Sequence, residues 1–330
     1  MILVTGMSGY IGSHTAVALL KAGKDIVGFD NFYNSSFEAV KAVESLSGRS
    51  FPFYEADLRD IDSMERIFKE HNIDAVVHFA GLKAVGESVA KPLFYYENNI
   101  CGTVNLLKLM EKYGVMRFVF SSSATVYGEP KSVPINEDFP LSTTNPYGST
   151  KLYIEGILKD MCKANKEFSV ALLRYFNPIG AHESGLIGEN PNGIPNNLMP
   201  RICQTAKGIM KSLTVFGDDY PTPDGTGVRD YIHVCDLADG HIAALDKIEK
   251  DTGVHIYNLG TGKGYSVYDL IHTFARVNGV EVPYTVCPRR PGDVPEMYSD
   301  PSKAKAELGW EARLGLEDMC RSSWSFIKDK

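Results

Sequence analysis

The chain has 330 residues, of which 44% are hydrophobic and 23% are charged, and its formal net charge is −7. This composition is typical of a soluble globular protein with room for two domains, and its acidic balance argues against nucleic acid or an anionic membrane as the main partner. The N-terminal stretch lacks a secretory signal and no segment approaches the roughly 18 apolar residues of a membrane span, which predicts a cytoplasmic protein acting on a small molecule.

Short apolar runs alternate with helix-length segments through the first half of the chain. The runs are ILVTG, DIVGFD, FPFYEAD, AVVHFA, RFVFSSS and FSVALLRYFN. Continuous Val, Ile and Phe runs that are separated by helices indicate strands buried on both faces of a parallel sheet. We therefore predict an α/β fold with a doubly wound (Rossmann) domain over residues 1–176.

The second half of the chain is richer in loops. Residues 177–200 are dense in Gly, Pro and Asn, and helices such as SVYDLIHTFARV alternate with Pro-bearing segments. We predict a second, smaller mixed α/β domain over residues 177–330 that binds the substrate at the carboxyl edge of the sheet. The six cysteines are scattered without a CxxC pair, which indicates buried thiols and neither a metal site nor disulfides.

The first run is followed by a glycine loop, GMSGYIG, and then by a helical segment. Gly6, Gly9 and Gly12 permit a tight turn and let backbone N–H groups approach a pyrophosphate at the positive end of the helix. Asp30, eighteen residues past Gly12, ends the second run, where its carboxylate would accept hydrogen bonds from a ribose and repel a 2′-phosphate, which favours NAD over NADP. Asp57 is either an acceptor for the adenine amino group or simply a strand-end carboxylate.

The stretch NPYGSTK places Tyr147 and Lys151 four residues apart on one helix face, after Asn145 as cap and Pro146 at the first position. Tyrosine packing on a lysine stem would also explain the spacing. Lowering the pKa of a phenol from about 10 to near neutrality takes roughly 4 kcal/mol, which one charge about 4 Å away supplies at an effective dielectric near 20. We therefore expect Lys151, assisted by a positive nicotinamide ring, to make Tyr147 a base.

Seven blocks in chain order carry a resemblance: GMSGYIGSH, VVHFAGLKAVGES, FSSSATVYG, PYGSTK, LLRYFNPIGAH, GIPNNLMP and DGTGVRDYIHVCDLADGH. Across essentially the whole chain they resemble the UDP-glucose 4-epimerase family of extended short-chain dehydrogenase/reductases. The resemblance implies an isomerase of galactose metabolism that oxidises a UDP-hexose at C4, lets the 4-keto sugar rotate and reduces it again, with NAD never released. It also implies a homodimer through helices around residues 92–113 and 146–164.

The resemblance assigns the catalytic roles to Tyr147 as base, Lys151 as ligand of the nicotinamide ribose and Ser123 as hydrogen-bond partner of the reacting oxygen. It implies a larger set of NAD contacts than the residue pattern alone supports. These are Gly6, Gly9, Tyr10, Ile11, Gly12, Asp30, Asn31, Asn34, Ser35, Asp57, Leu58, Phe79, Ala80, Gly81, Lys83, Asn98, Tyr147, Lys151 and Phe176. Phe79 and Phe176 fit a hydrophobic core equally well.

For the substrate, the resemblance implies that Arg229 and Arg290 hold the diphosphate and that Asp293 binds the uridine ribose. Two arginines favour a phosphate clamp, although Asp230 and Asp293 are alternative ion-pair partners for them. The other implied substrate contacts are Ser123, Tyr147, Asn177, Asn197, Thr214, Val215, Phe216 and Met297. Phe216 fits a core equally well.

Met297 stands where members of the family restricted to unacetylated sugars usually carry tyrosine, and where members accepting N-acetyl sugars carry a smaller residue. Methionine is flexible and intermediate in bulk. Activity on UDP-GlcNAc and UDP-GalNAc is therefore left open by the sequence.

Three alternatives stay open. Nucleotide-sugar dehydratases need an acid beside the tyrosine, where this chain has Ala124 and Thr125. A decarboxylase or uronate epimerase should have a pocket that favours a substrate carboxylate, and the sequence excludes it only weakly. A non-catalytic NAD-binding protein of the same fold has no need of a base, so Tyr147 and Lys151 argue against that reading.

Overall fold

The computed structural model describes residues 1–193, 195–290 and 292–329, so Ile194 of the block GIPNNLMP, Pro291, and Lys330 at the end of the predicted second domain lie outside it. The strands are β1 Ile2–Thr5, β2 Ile26–Asp30, β3 Phe53–Glu55, β4 Ala75–His78, β5 Arg117–Ser123, β6 Ser169–Tyr175, β7 Asn177–Ile179, β8 Leu213–Phe216, β9 Val228–His233, β10 Gly253–Leu259, β11 Gly264–Ser266, β12 Tyr284–Cys287 and β13 Glu296–Met297.

The helices are α1 Tyr10–Lys21, α2 Phe37–Ser47, α3 Ile61–Glu70, α4 Val85–Ala90, α5 Pro92–Tyr95, α6 Gly102–Tyr113, α7 Pro146–Ala164, α8 Leu198–Ala206, α9 Val234–Ile248, α10 Val267–Asn278, α11 Ser302–Leu308 and α12 Leu316–Ile327. A π-helical turn, Tyr96–Cys101, joins α5 to α6, and a 3-10 turn, Ala124–Tyr127, follows β5.

A seven-stranded parallel sheet forms the centre of the molecule, with the strand order β3-β2-β1-β4-β5-β6-β10. All six predicted runs are strands of it, and the predicted doubly wound α/β fold is confirmed. β1, β4 and β6 are buried along their whole length, as expected for strands covered on both faces. The strand order reverses between β1 and β4, and ligands of such sheets bind outside the carboxyl ends at this switch point.

The main sheet takes a strand from the second half of the chain. β10 pairs with β6 in parallel from Gly253↔Ser169 to Leu259↔Tyr175, and α9 packs against α1. Both parts of the predicted division at residues 176 and 177 therefore share one sheet. The division into two domains stays a prediction.

The smaller strands lie beyond the carboxyl edge of the main sheet. β9 pairs with β7 and β13 in parallel and with β11 in antiparallel orientation, while β8 and β12 form a separate parallel pair. The fully buried residues Ile202, Leu213, Phe274 and Met319 fill the core beneath them. This packing fixes the strands that carry the predicted substrate residues.

No helix in the described ranges is long and apolar enough to cross a membrane. All six cysteines are free thiols. Among the described residues, no three or more His, Cys, Asp or Glu side chains come together as a metal site.

Candidate active site

The loop between β1 and α1 forms a cradle that only glycine can line. Gly6 has a φ of +65°, and a Cβ there would lie 2.7 Å from the backbone N of Ala80 on the loop after β4. A Cβ on Gly12 would lie 2.3 Å from the carbonyl oxygen of Gly6. Gly9 begins α1 without a side-chain cap, which leaves the first-turn N–H groups facing the cradle. The loop therefore fits a pyrophosphate.

Asp30 ties the glycine loop to the loop after β2. It is 8% exposed, and its Oδ1 accepts hydrogen bonds from the Phe32 N–H and the Ser35 hydroxyl, both at 2.9 Å. The Ser8 hydroxyl donates to Ser35 at 2.9 Å, which completes the link to the cradle. The carboxylate stands where the sequence predicts it, at the β2 edge beside the cradle.

Asp57 already has strong partners in the protein. Its carboxylate accepts two hydrogen bonds from the Arg59 guanidinium, at 2.9 and 2.8 Å, and one from Asn31 Nδ2 at 2.8 Å. The hydrogen bonds from Arg59 hold the pKa of Asp57 well below its usual range. The carboxylate is therefore ionised, and with the backbone N–H of Arg59 as a fourth donor it is already fully hydrogen-bonded within the protein.

Asn99 on the π-helical turn holds the loop after β4 in place. Its side chain exchanges hydrogen bonds with the backbone of Leu82, at 2.8 and 3.0 Å, and donates to the Thr150 hydroxyl on α7 at 3.1 Å. The buried Asn98 donates to Asn99 Oδ1 at 3.0 Å. The loop bearing Gly81 is thereby fixed to the helix that carries Tyr147. Our sequence analysis missed Asn99, because an asparagine inside a helical pattern has no spacing signal.

Several residues of the implied cofactor set pack into hydrophobic clusters or against other side chains. Phe79 packs on His241 with 4.8 Å between ring centroids, and Phe176 is 7% exposed in a hydrophobic cluster. The Tyr10 hydroxyl donates to the carbonyl of Gly180 at 2.7 Å, which leaves only its backbone facing the cradle loop. Phe79 and Phe176 therefore pack as core side chains, as the alternative interpretation expected, and their role as cofactor contacts stays a prediction. Ile11 and Leu58 also pack into the hydrophobic clusters.

The helix start that carries the reactive pair forms as the sequence predicts. Asn145 caps α7 by accepting from the Gly148 N–H at 2.9 Å, with Pro146 at the first position. Lys151 is 7% exposed, donates to the carbonyl of Ser121 at 2.7 Å, and lies 5.9 Å from the centroid of the Tyr147 ring. The Ser123 side chain lies near the Tyr147 phenol and acts to lower its pKa. Ser123, Tyr147 and Lys151 thus meet at the carboxyl end of β5.

Burial dominates the electrostatics of this group. It raises the pKa of Tyr147, and the neighbouring Ser123 side chain only partly opposes this rise. Burial also lowers the pKa of Lys151 to about 8. The Lys151 ammonium is directed at the Ser121 carbonyl. The expected action of Lys151 on the phenol, together with a positive nicotinamide ring, stays a prediction.

The two predicted arginines have different surroundings. Arg229 on β9 donates to the carbonyl of Val228 at 2.8 Å, while the buried Asp230 accepts hydrogen bonds from Thr261 and Ser299. The alternative pairing of Arg229 with Asp230 is therefore not what the structure shows. Asp230 organises the loops beneath β9 and leaves Arg229 to face outward.

Arg290 does pair with Asp293, with Nε and Oδ2 at 2.9 Å. Its guanidinium also lies 4.9 Å from the centroid of the Phe216 ring. Phe216 is half-buried, whereas its neighbour Val215 is 1% exposed and belongs to the core. A phosphate at Arg290 would have to share its guanidinium with Asp293.

Glu189 joins the two sides of the site, and our sequence analysis missed it. Its Oε1 accepts from Lys83 at 3.0 Å on the cofactor side and from Asn197 at 2.6 Å on the substrate side. Asn177 is exposed at the start of β7. Met297 on β13 is half-buried against the hydrophobic cluster that contains Phe176. Met297 is paired in register with Arg229.

Comparisons with known proteins agree with this geometry. A family model described as GDP-mannose 4,6 dehydratase matches residues 3–323. The UDP-glucose 4-epimerase of Bacillus subtilis (strain 168) is 62% identical over 323 residues, covering 98% of this chain and 95% of the relative. That of Pasteurella multocida (strain Pm70) is 58% identical over 328 residues, covering 99% and 97%. The crystal structure of UDP-glucose 4-epimerase from Bifidobacterium longum in complex with NAD+ and UDP superposes with a TM-score of 0.96 at 54% identity, covering 99% and 98%.

Proposed function

The chain belongs to the UDP-glucose 4-epimerases of the extended short-chain dehydrogenase/reductase family, and from this premise we propose that it interconverts UDP-glucose and UDP-galactose with NAD as its cofactor. One observation carries the proposal. Ser123, Tyr147 and Lys151 come together at the carboxyl end of β5, beside a glycine cradle that leaves no room for a side chain. The relative from Bifidobacterium longum holds NAD+ and UDP.

NAD, when bound, accepts a hydride from C4 of the sugar and later returns it. Tyr147 takes the proton from the C4 hydroxyl, and Ser123 holds the same oxygen while it becomes a carbonyl. Lys151 is mostly protonated at neutral pH, with a pKa of about 8, and its charge favours the phenolate beside it. When C4 is reduced on the other face of the sugar, Tyr147 returns the proton to the same oxygen.

This reaction requires the 4-keto sugar to turn over inside the site. Binding energy should therefore rest on the UDP moiety, and Arg229, Arg290 and Asp293 are proposed to hold it. Asn177, Asn197 and Met297 are proposed to line the sugar side, and the Asn197 amide already donates to Glu189. The remaining residues of the implied NAD and substrate sets are proposed in the roles that the family resemblance gives them.

The sequence after Ser123 favours an epimerase over a dehydratase, although the matching family model is described as a dehydratase. Positions 124 and 125 are alanine and threonine, and Ala124 is 5% exposed. Neither side chain can protonate a leaving hydroxyl. A reaction that returns the hydride without eliminating water is therefore better supported.

The proposal extends to a cytoplasmic homodimer of galactose metabolism. The six free thiols suit a reducing compartment. Leu93 on α5 and Tyr153 on α7 are 79% and 54% exposed, and both lie in the segments through which the family resemblance implies dimerisation. A patch of this kind is typical of an interface. Light scattering of the parent and of Leu93→Asp tests it, with a dimer expected for the parent and a monomer for the variant.

Mass spectrometry of the small molecules released from denatured protein, together with a UDP-hexose assay, tests the function. We expect NAD in near-equal amount to protein, and conversion of UDP-galactose to UDP-glucose. Bound NAD with no turnover of any nucleotide sugar would support a non-catalytic protein instead. Formation of a dehydrated or decarboxylated sugar would support one of the related reactions.

Met297 is proposed to set the tolerance for N-acetyl sugars. Met297→Tyr puts a stiffer, bulkier side chain beside the Phe176 cluster, so we expect turnover of UDP-GalNAc to fall about tenfold or more while UDP-galactose is largely unaffected. Steady-state kinetics on both sugar pairs measures this. Equal losses on both substrates would contradict the role.

A further inference from the structure

Three consecutive serines at the end of β5 are each tied to α7. The Ser121 carbonyl accepts from Lys151 at 2.7 Å, the Ser122 hydroxyl donates to Glu155 at 2.7 Å, and the Ser123 side chain lies near the Tyr147 phenol, whose pKa it acts to lower. The three helical residues are spaced by four, so they lie on one face of α7. Two of these links belong to the reaction described above. The middle link, through Glu155, has no part in it.

Glu155 is fully buried, at 0% exposure, and a charge in such a place needs compensation. Arg174 on β6 provides it with two hydrogen bonds, at 2.9 and 2.7 Å. Burial disfavours the carboxylate, but the hydrogen bonds and charge of Arg174 outweigh burial, and the pKa of Glu155 lies below its ordinary value. Arg174 is the register partner of Ser122, so Glu155 is hydrogen-bonded to two neighbouring strands at the same level of the sheet.

The same network continues past the reactive group. Arg174 donates to the Tyr127 hydroxyl at 3.0 Å and to the carbonyl of Glu137 at 3.2 Å. Tyr127 in turn donates to Asn258 Oδ1 on β10 at 2.7 Å. Tyr127 ends the 3-10 turn that begins directly after Ser123. The network therefore anchors both the helix carrying Tyr147 and the turn that follows Ser123.

We propose that Glu155 is a positioning residue for the epimerase reaction, which locks α7 to the end of β5 through Ser122 and Arg174 and thereby holds Tyr147 and Lys151 against Ser123. An apolar side chain could fill the same space, but it would let the helix slide along the sheet. Only directional hydrogen bonds to β5 and β6 fix the position of α7 along these strands. A shift near 1 Å at a reacting group is enough to cost about a hundredfold in rate. This inference rests on the proposed function for its kinetic readout.

Glu155→Gln is the main test, because glutamine keeps the shape and removes the charge. We expect kcat for UDP-galactose to fall about tenfold to a hundredfold, with KM and the amount of bound NAD close to the parent. If α7 shifts, Tyr147 moves away from Ser123, which acts to lower the pKa of the phenol, so the titration of Tyr147 should also move to higher pH. That titration is read as the tyrosinate absorbance of each protein minus that of its Tyr147→Phe version.

Leu158→Ala is the matched control. Leu158 is fully buried on the same helix, and the hydrogen-bonded network does not include it. It should lower the melting temperature and leave kcat at parental value when assayed well below melting. If Glu155→Gln fails to fold, Ser122→Ala decides the question, because it cuts the same link while leaving the Glu155 and Arg174 pair intact.

Parental kcat in the folded variant, or an equal loss of kcat in Leu158→Ala, would overturn the inference. If the parent protein turns over no UDP-hexose, the proposed function fails. The titration of Tyr147 still tests the positioning role in that case, since it needs no substrate. If the titration of Tyr147 is the same in Glu155→Gln as in the parent, the positioning role is overturned. Ser122→Ala takes the place of Glu155→Gln in this test if the latter does not fold.

Discussion

The cofactor side and the substrate side of the site are built in different ways. On the cofactor side, function rests on backbone geometry and on buried side chains, such as Gly12 and the 7%-exposed Lys151. The proposed substrate side has long exposed side chains from loops, such as Arg290, whose side chain is 55% exposed and paired with Asp293. One side is rigid before any ligand binds, and the other must exchange protein contacts for ligand contacts.

This difference suits the reaction. A proton and a hydride must be transferred over short distances, so the groups at the end of β5 need a fixed geometry. The sugar must turn over, so the opposite wall cannot hold it tightly. Changes on the cofactor side should therefore alter kcat or NAD retention, whereas changes on the substrate side should mainly alter KM.

The largest effect is expected from Tyr147→Phe on the rigid side. Removing the hydroxyl removes the proton acceptor, so kcat should fall about 10³-fold or more. Bound NAD should stay at the parental amount, because the cradle is untouched. Steady-state kinetics and the NAD content of the purified variant check this. A variant that keeps a tenth of the parental kcat would remove Tyr147 from the reaction.

Gly12→Ala should break the cradle. The added Cβ would lie 2.3 Å from the carbonyl oxygen of Gly6, so the loop must shift and we expect most of the NAD to be lost on purification. Gly156→Ala on α7 is the matched control, because a Cβ there meets nothing within 4 Å. Equal NAD content in the two variants would contradict the assignment of the cradle.

Arg290→Gln should act on the flexible side. A charged hydrogen bond to phosphate contributes about 1.5–3 kcal/mol, so KM for UDP-galactose should rise about 10- to 100-fold while kcat stays near the parental value. The neighbouring Arg289, which pairs with Asp219, offers the control Arg289→Gln with little change expected. A fall in kcat without a rise in KM would contradict the contrast between the two sides.

The smallest expected effect is the contribution of one buried histidine to stability. Burial lowers the pKa of His14 and His78 to about 3 and that of His233 and His241 to about 4. These histidines stay neutral in the folded protein, whereas in the unfolded chain they take up protons below a pKa of about 6.5. The free energy of unfolding should therefore fall as pH drops below 6.5 towards 4, by about 1.4 kcal/mol per pH unit for each histidine.

Urea unfolding at several pH values measures that slope. His241→Phe should make it shallower by about one histidine's share, whereas a change at the exposed His272, His272→Gln, should leave it unchanged. If neither variant changes the slope of the free energy of unfolding against pH, groups other than His241 govern the stability in acid.

The rigid side was largely predictable from the sequence, and the reason is local. A glycine loop between a strand and a helix, a strand-end Asp30, and the cap at Asn145 are determined by residues close together in the chain. The same local rules placed β1 to β6. The charge expectation for Tyr147 stays a prediction, and the burial of Tyr147 and Lys151 could not be predicted because it depends on how α7 packs on β5.

What the sequence did not predict depends on long-range packing. The contribution of β10 to the main sheet joins residues far apart in the chain, and β10 reads as an ordinary short apolar run. Glu189 and Asn99 act only because the fold places them between distant segments. The fully buried Glu155 would have been read as a solvated helix residue, since glutamate is rarely buried unless it is paired.

The most direct test of the central claim follows the hydrogen at C4. UDP-galactose deuterated at C4, incubated with purified protein and no added NAD, should give UDP-glucose that keeps the deuterium at C4 and gains no hydrogen from solvent there. Retention would mean that the hydride leaves and returns within one closed site. Exchange of the C4 label with water, or a strict need for added NAD in protein that already carries it, would contradict the account.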